Sequence, residues 1–172
     1  MSDEFEKYDA FAKHMEERFP KMFAGKYGGF ACGQGWWPIL ESLCANIQSH
    51  TDWQNDQRKR LLENNKYVHP IPKEVPQVTV AQIKEKFGGL RFYYDGGDAE
   101  IRGMVRMAEA WADASCEECG APGTSGGKGW IQTLCPTHRA ESDARYAERF
   151  KERTNDEDLQ LSIFETMKSE SQ

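Results

Sequence analysis

The sequence predicts an α+β fold closed by a small metal-binding finger, and three observations carry that expectation. Apolar residues recur at helical spacing in several stretches, one run of aromatic residues reads as a strand, and two pairs of metal-ligand residues stand toward the C-terminal end. A helix-rich core with a short β-sheet is expected over residues 1–115, the finger and a following helix over 116–153, and an acidic tail over 154–172.

Residues 3–19 carry Tyr8, Phe11, Ala12, Met15 and Phe19 on one helical stripe, and Pro20 follows the stop. The run 23–35 is rich in glycine and reads as a connection. Pro38 suits the first turn of a second helix, which places Trp36, Leu40, Leu43, Cys44 and Ile47 on one face. Thr51-Asp52-Trp53-Gln54 has capping-box spacing, which predicts a fresh, more polar helix from there to about Asn64. Pro70, Pro72 and Pro76 make 68–75 an extended loop.

Residues 78–80 read as a short strand. Thr79-Val80-Ala81-Gln82 then repeats the capping pattern, and Val80, Ile83 and Phe87 keep helical spacing, so a turn of helix is expected up to Gly88-Gly89. Leu90-Arg91-Phe92-Tyr93-Tyr94, with its aromatics, is the clearest strand. Asp95-Gly96-Gly97 turns the chain, and Asp98 caps a helix to about Ser115 whose inward stripe is Ile101, Met104, Val105, Ala108, Trp111 and Ala112. The likeness of Lys26-Tyr27-Gly28-Gly29-Phe30 to Lys86-Phe87-Gly88-Gly89-Leu90 is too short for a repeat and reads as two similar turns.

With 172 residues, 38% hydrophobic and 29% charged, the chain can bury a core and is not disordered throughout. Each of the five tryptophans is expected to bury a face. No run approaches the roughly 18 apolar residues of a membrane span. The acidic start Met1-Ser2-Asp3-Glu4 lacks the features of a secretory signal. Five cysteines without an export signal point to metal ligation in a reducing cytoplasm instead of a disulfide framework. A net charge of −6 disfavours a dedicated nonspecific DNA binder and leaves room for a basic protein partner.

Cys116-Glu117-Glu118-Cys119-Gly120 and Cys135-Pro136-Thr137-His138 give C-x2-C, fifteen residues, then C-x2-H. Two-residue gaps let a tight turn aim both side chains at one ion, and zinc favours four such thiolate and imidazole donors in a tetrahedron. Residues 130–134 read as a strand delivering Cys135, and Pro136 as the start of a helix whose first turn presents His138. A knuckle, a hairpin and a ligand-bearing helix resemble a treble-clef zinc finger. Four protein donors close the site, which makes a structural zinc the expectation and leaves no position for a catalytic water.

Other chemistry is weaker in the sequence. Cys32 and Cys44, with His50 or His69, have no standard ligand spacing; Cys44 falls on an apolar helix face. Cys32 as a nucleophile needs a histidine and an orienting acid beside it. The glycine runs match neither phosphate-binding pattern. A nuclease of the His-Asn-His type needs histidines in the finger beyond the ligand, and His14, His50 and His69 lie elsewhere. Lys84, Lys86, Arg91 and Tyr93 combine cations with aromatics and are the candidate partner or nucleic-acid contacts. Leu159, Ile163, Phe164 and Met167 mark a short amphipathic helix in the tail.

Gly35-Trp36-Trp37-Pro38, the segment 84–94, Asp95-Gly96-Gly97-Asp98 and the 116–138 ligand set together resemble a group of small zinc-binding proteins of bacteriophages and prophages. The likeness covers residues 27–138 and brings no established activity, so no catalytic residue is expected from it. It implies expression inside a bacterium, in the host cytoplasm. The expected function is a zinc-stabilised accessory protein, not an enzyme, acting by protein–protein interaction on a bacterial host protein such as a nuclease or an antiviral defence complex. A zinc-finger factor binding nucleic acid in phage DNA metabolism or transcription is the first alternative, and a metal-dependent nuclease the second.

Overall fold

The computed structural model describes residues 2–64 and 71–151. Its architecture is α+β, as expected. Helix α1 (Ser2–Arg18) leads through a loop to strand β1 (Phe30–Ala31), a 3-10 turn (Gln34–Trp36) and the long helix α2 (Trp37–Glu63). Strands β2 (Thr79–Lys86) and β3 (Gly89–Asp95), helix α3 (Ala99–Ala112) and the small strands β4 (Thr124–Gly126) and β5 (Gln132–Leu134) follow. Helix α4 covers 136–151. One sheet has the order β1-β2-β3, with β1 parallel and β3 antiparallel to β2; β4 and β5 form a second, antiparallel pair.

The core lies where α1, α2 and α3 cover one face of the larger sheet. Met15, Trp36, Leu40, Ile47, Ile83, Leu90 and Ile101 are fully buried there. Burial of each such side chain stabilises the fold by about 1.5–3 kcal/mol. The α1 stripe is seen as Phe11, Met15 and Phe19. Phe11 also stacks on Trp37, with ring centroids 4.4 Å apart and planes 3° from parallel. That contact fixes the start of α2 on α1.

Helix α2 does not restart at Thr51. The helix already runs through this position, and the buried Thr51 hydroxyl donates back to the Ile47 carbonyl at 2.9 Å. Capping-box residues therefore stand inside a helix, where threonine bonds the preceding turn. Farther along, Asn55 exchanges two hydrogen bonds with the backbone of Val75, and Gln48 pairs with Gln77. These bonds hold the irregular segment 71–78 along α2. Of the expected loop 68–75, residues 68–70 lie outside the described residues, as does the tail 154–172.

The predicted helical turn at 79–87 is strand β2. The register shifts between Val80 and Gln82, so Ala81 is an extra residue in a β-bulge. The bulge puts Val80 and Ile83 on the same buried side at a spacing of three, which in the sequence imitates a helix. Phe87 (φ 55°) and Gly88 (φ 78°) form a two-residue hairpin turn with both central residues left-handed, closed by the Lys86–Gly89 pair. The 26–30 segment bends differently, with its positive φ on Gly29, so the two similar motifs are not similar turns.

Helix α3 begins as predicted. Asp98 Oδ1 accepts from the amides of Glu100 and Ile101, while its Oδ2 pairs with His50 Nε2 at 2.9 Å. Ile101, Val105, Ala108 and Ala112 face inward. Trp111 does not: it is 63% exposed, and Trp53 and Trp130 are also exposed, so three tryptophans keep much of their surface in solvent.

Candidate metal centre

The backbone from α3 into the finger is shaped before any ligand is reached. Ser115 pairs with Pro122 as an isolated bridge, Cys116 N–H donates to Ala121 O, and Gly120 N–H donates to Cys116 O at 2.8 Å. This closes the first knuckle around Cys116 and Cys119. The β4–β5 hairpin then brings Cys135 to the start of α4, and His138 lies in that helix's first turn. Cys116 Sγ, Cys119 Sγ, Cys135 Sγ and a ring nitrogen of His138 all fall within 4.8 Å of one another. The predicted quartet is thus assembled by three separate elements, and it can hold one metal ion.

The His138 nitrogen facing the sulfurs is Nδ1, 3.3 Å from both Cys116 Sγ and Cys135 Sγ; Cys119 and Cys135 sulfurs stand 3.9 Å apart. Burial pushes the Cys116 thiol up, but backbone hydrogen bonds at Cys135, Cys119 and Glu118 and the His138 ring bring it down to about 7. Cys119 is favoured as thiolate by the Ala121 backbone, yet burial and the sulfurs of Cys116 and Cys135 hold it above the ordinary thiol range. The hydrogen bond to Cys116, and after it the one to Cys135, raise the His138 ring pKa against the opposing effect of burial. Each group thus opposes or biases ionisation of the next, which is the conflict a divalent cation at their centre relieves.

The centre is seated directly on the core. Gly35 N–H donates to Glu117 O at 2.7 Å, Gly33 N–H donates to Glu117 Oε1 at 2.9 Å, and Trp36 Nε1–H donates to Ser115 O at 2.8 Å. A Cβ on Gly35 would lie 2.3 Å from Cys116 O and 2.4 Å from Gly120 N, so only glycine permits this approach. Across the finger, Thr133 Oγ1 donates to Gly88 O at 2.6 Å, tying β5 to the β2–β3 turn. Glu117, which no sequence pattern singles out, is buried; burial and the neighbouring Glu85 and Glu118 raise its carboxyl pKa against the Gly33 amide.

The remaining candidates are dispersed. Cys32 and Cys44 are buried and stand outside the ligand cluster. Burial, with Glu117 adding to it for Cys32, pushes both thiols up to about 12, the opposite of an activated nucleophile. His50 pairs with Asp98 and His14 with Glu41; His69 lies outside the described residues. Lys84, Lys86, Arg91 and Tyr93 share the face of the hairpin opposite Ile83 and Phe92. Lys84 Nζ sits 5.2 Å from the centre of the Tyr93 ring, Lys86 Nζ covers Phe87, and Arg91 folds back on the Leu90 carbonyl.

Two adjoining clefts were not evident in the sequence. One, of about 680 Å³, lies between α1, α2 and the knuckle and is lined by Phe11, Trp37, Pro38, Ile39, Trp111 and Cys119 among others. The other, of about 270 Å³, continues between α2 and α3 along Ile39, Leu43, Met104, Met107, Ala108 and Trp111. Among the described residues, no helix is long and apolar enough to cross a membrane. No protein-family model, no curated protein and no solved structure matches the chain.

Proposed function

We propose that this chain is a zinc-stapled accessory protein of a phage or prophage that acts by gripping a host protein, with no reaction of its own. The observation that carries this reading is the apolar groove shared by the two adjoining clefts, with Met107 at 74% and Trp111 at 63% exposure on its rim. Exposed tryptophan over a contiguous apolar surface is the composition of an interaction hot spot, and methionine adapts its shape to a partner. A helix or loop presenting apolar side chains is the ligand such a groove accepts.

Zinc is the metal that the donor set suits. Three thiolates and one imidazole form a soft, closed set, and sulfurs on a tetrahedral zinc are expected about 3.8 Å apart from a bond length of about 2.3 Å. The 3.9 Å between Cys119 and Cys135 supports that choice. When bound, the ion holds the knuckle, the hairpin and α4 together. Through Gly33, Gly35 and Trp36 it also braces the N-terminal end of α2, which forms one wall of the groove.

The test is capture of a host protein from nuclease-treated bacterial lysate by the wild-type chain and by Met107→Asp and Trp111→Ala. The reading predicts one partner in stoichiometric yield, retained at high salt and lost with either variant. A partner held equally well by both variants, or recovered only with nucleic acid, contradicts it.

A further inference from the structure

A second surface carries a different chemistry. On the finger, away from the apolar groove, a cleft of about 180 Å³ is lined by Lys128, Trp130, Gln132, Ser142, Arg145, Tyr146 and Arg149. Three of these seven are cations and none is acidic, in a chain whose net charge is −6; Glu85, Glu117 and Glu118 line a separate cleft on the other side of Trp130 and Gln132. The chain's general charge gives no reason for this local reversal.

The cleft is built, and its cations are unused by ion pairs among the described residues. Arg139, the neighbouring cation, is fully committed: its guanidinium donates to the carbonyls of Gly126, Thr124 and Gln132 and locks the hairpin to α4. Tyr146 packs against the loop so closely that a Cβ on Gly129 would lie 2.7 Å from its ring. Lys128, Arg145 and Arg149, by contrast, make no ion pair among the described residues. Trp130 is 70% exposed beside them, with no aromatic ring stacked on it among the described residues. Cations without an ion pair among the described residues, lining one cleft with an exposed indole and a tyrosine, are what a single strand of nucleic acid requires. Its bases stack on aromatic rings, and its phosphates follow the positive charges.

We propose that this cleft binds single-stranded nucleic acid, with a base stacked on Trp130 and backbone phosphates on Lys128, Arg145 and Arg149. The site is independent of the apolar groove and does not rest on the protein-partner reading. It also differs from the Lys84–Arg91 surface of the β2–β3 hairpin, where the Lys84 and Lys86 ammonium groups already cover aromatic rings and the Arg91 guanidinium bonds its own backbone.

The experiment is fluorescence anisotropy of a labelled oligothymidylate with the full, metal-loaded chain across a salt series. Three phosphate contacts predict a slope of about −2 in log K against log salt, because each contact on a single strand contributes about 0.7. Arg145→Gln and Arg149→Gln are each expected to flatten that slope by about 0.7. Trp130→Ala is expected to weaken binding about tenfold or more while leaving the slope in place. Metal content and circular dichroism equal to wild type exclude unfolding as the cause. No binding at low salt overturns the proposal. So does a duplex bound as tightly as the single strand, or a slope that responds to Lys84→Gln and Arg91→Gln in place of the Arg145 and Arg149 variants. Equal competition by a polyglutamate peptide, together with an unchanged Trp130→Ala, assigns the cleft to an acidic protein segment and also overturns it.

Discussion

The indole N–H of Trp36 donates a 2.8 Å hydrogen bond to the carbonyl of Ser115, the residue immediately before the first metal ligand. Trp36 is fully buried and caps the N-terminal end of α2, so one bond links the core's longest helix to the metal centre. With the two amide bonds to Glu117, it makes the finger a part of the core's own stability.

That coupling is testable by two substitutions. Trp36→Phe keeps a large apolar ring but strands a buried carbonyl, which costs about 1–3 kcal/mol. Gly35→Ala drives a methyl into the Cys116 and Gly120 backbone, which cannot swing aside, and is expected to cost about 3 kcal/mol or more. Both are expected to lower the melting temperature of the core and the affinity for metal in a chelator competition. A normal metal affinity in Gly35→Ala would show that the seating is incidental.

The β2–β3 turn offers a gain in stability. Phe87 is 72% exposed and sits at φ 55°, a left-handed conformation that costs an ordinary residue about 1–2 kcal/mol. Phe87→Asn creates the Asn-Gly pair that this turn favours, and is expected to stabilise the chain by about 1 kcal/mol in denaturant unfolding. An unchanged midpoint would mean that the Phe87 ring contributes as much as its backbone costs.

Asp98 gives a pH signature. Although burial pushes its carboxyl up, the His50 hydrogen bond and the Ile101 and Glu100 amides hold it below the ordinary aspartate value of 3.8. A depressed folded pKa stabilises the fold fully above the unfolded value, and the contribution disappears as pH falls through the folded one. Asp98→Ala is therefore expected to cost about 1 kcal/mol at about pH 5, with the penalty shrinking as pH falls below that. Wild type and variant lose metal alike in acid, so the difference between their unfolding curves isolates the cap. A penalty that grows as pH falls below about 5 would contradict the assignment.

The cysteines should react in order. None of the five is in a disulfide; burial pushes the Cys32 and Cys44 thiols up to about 12, and the other three belong to the candidate metal cluster. Mass spectrometry after brief alkylation is expected to find no label on the metal-loaded chain, three labels after chelation and five after denaturation. Early labelling of Cys32 or Cys44 would mean that the core is looser than described.

Much of this was legible in the sequence, for identifiable reasons. Helix α3 announced itself because its cap, Asp98, and its stripe from Ile101 to Ala112 lie in one continuous stretch. The ligand quartet was legible because knuckle geometry fixes ligand spacing locally. Strand β2 was not, because the bulge at Ala81 gave inward residues a helical interval. Thr51 misled for a related reason: a hydroxyl that suits a helix start equally well bonds the turn before it within a longer helix. Trp111 shares the inward stripe yet stays exposed, because periodicity marks a face and cannot say whether anything covers it. The roles of Gly33, Gly35 and Glu117, and the cation cleft at Lys128, Arg145 and Arg149, arise only when distant segments meet.

Elemental analysis of the purified chain beside Cys116→Ser, Cys119→Ser and His138→Ala, each with its melting curve, decides whether the quartet is a structural zinc site. One zinc per wild-type chain is expected, with zinc lost or weakly held in every variant and a melting temperature that falls with it. Wild-type protein carrying no stoichiometric metal, or zinc kept in full by Cys116→Ser, would contradict that expectation.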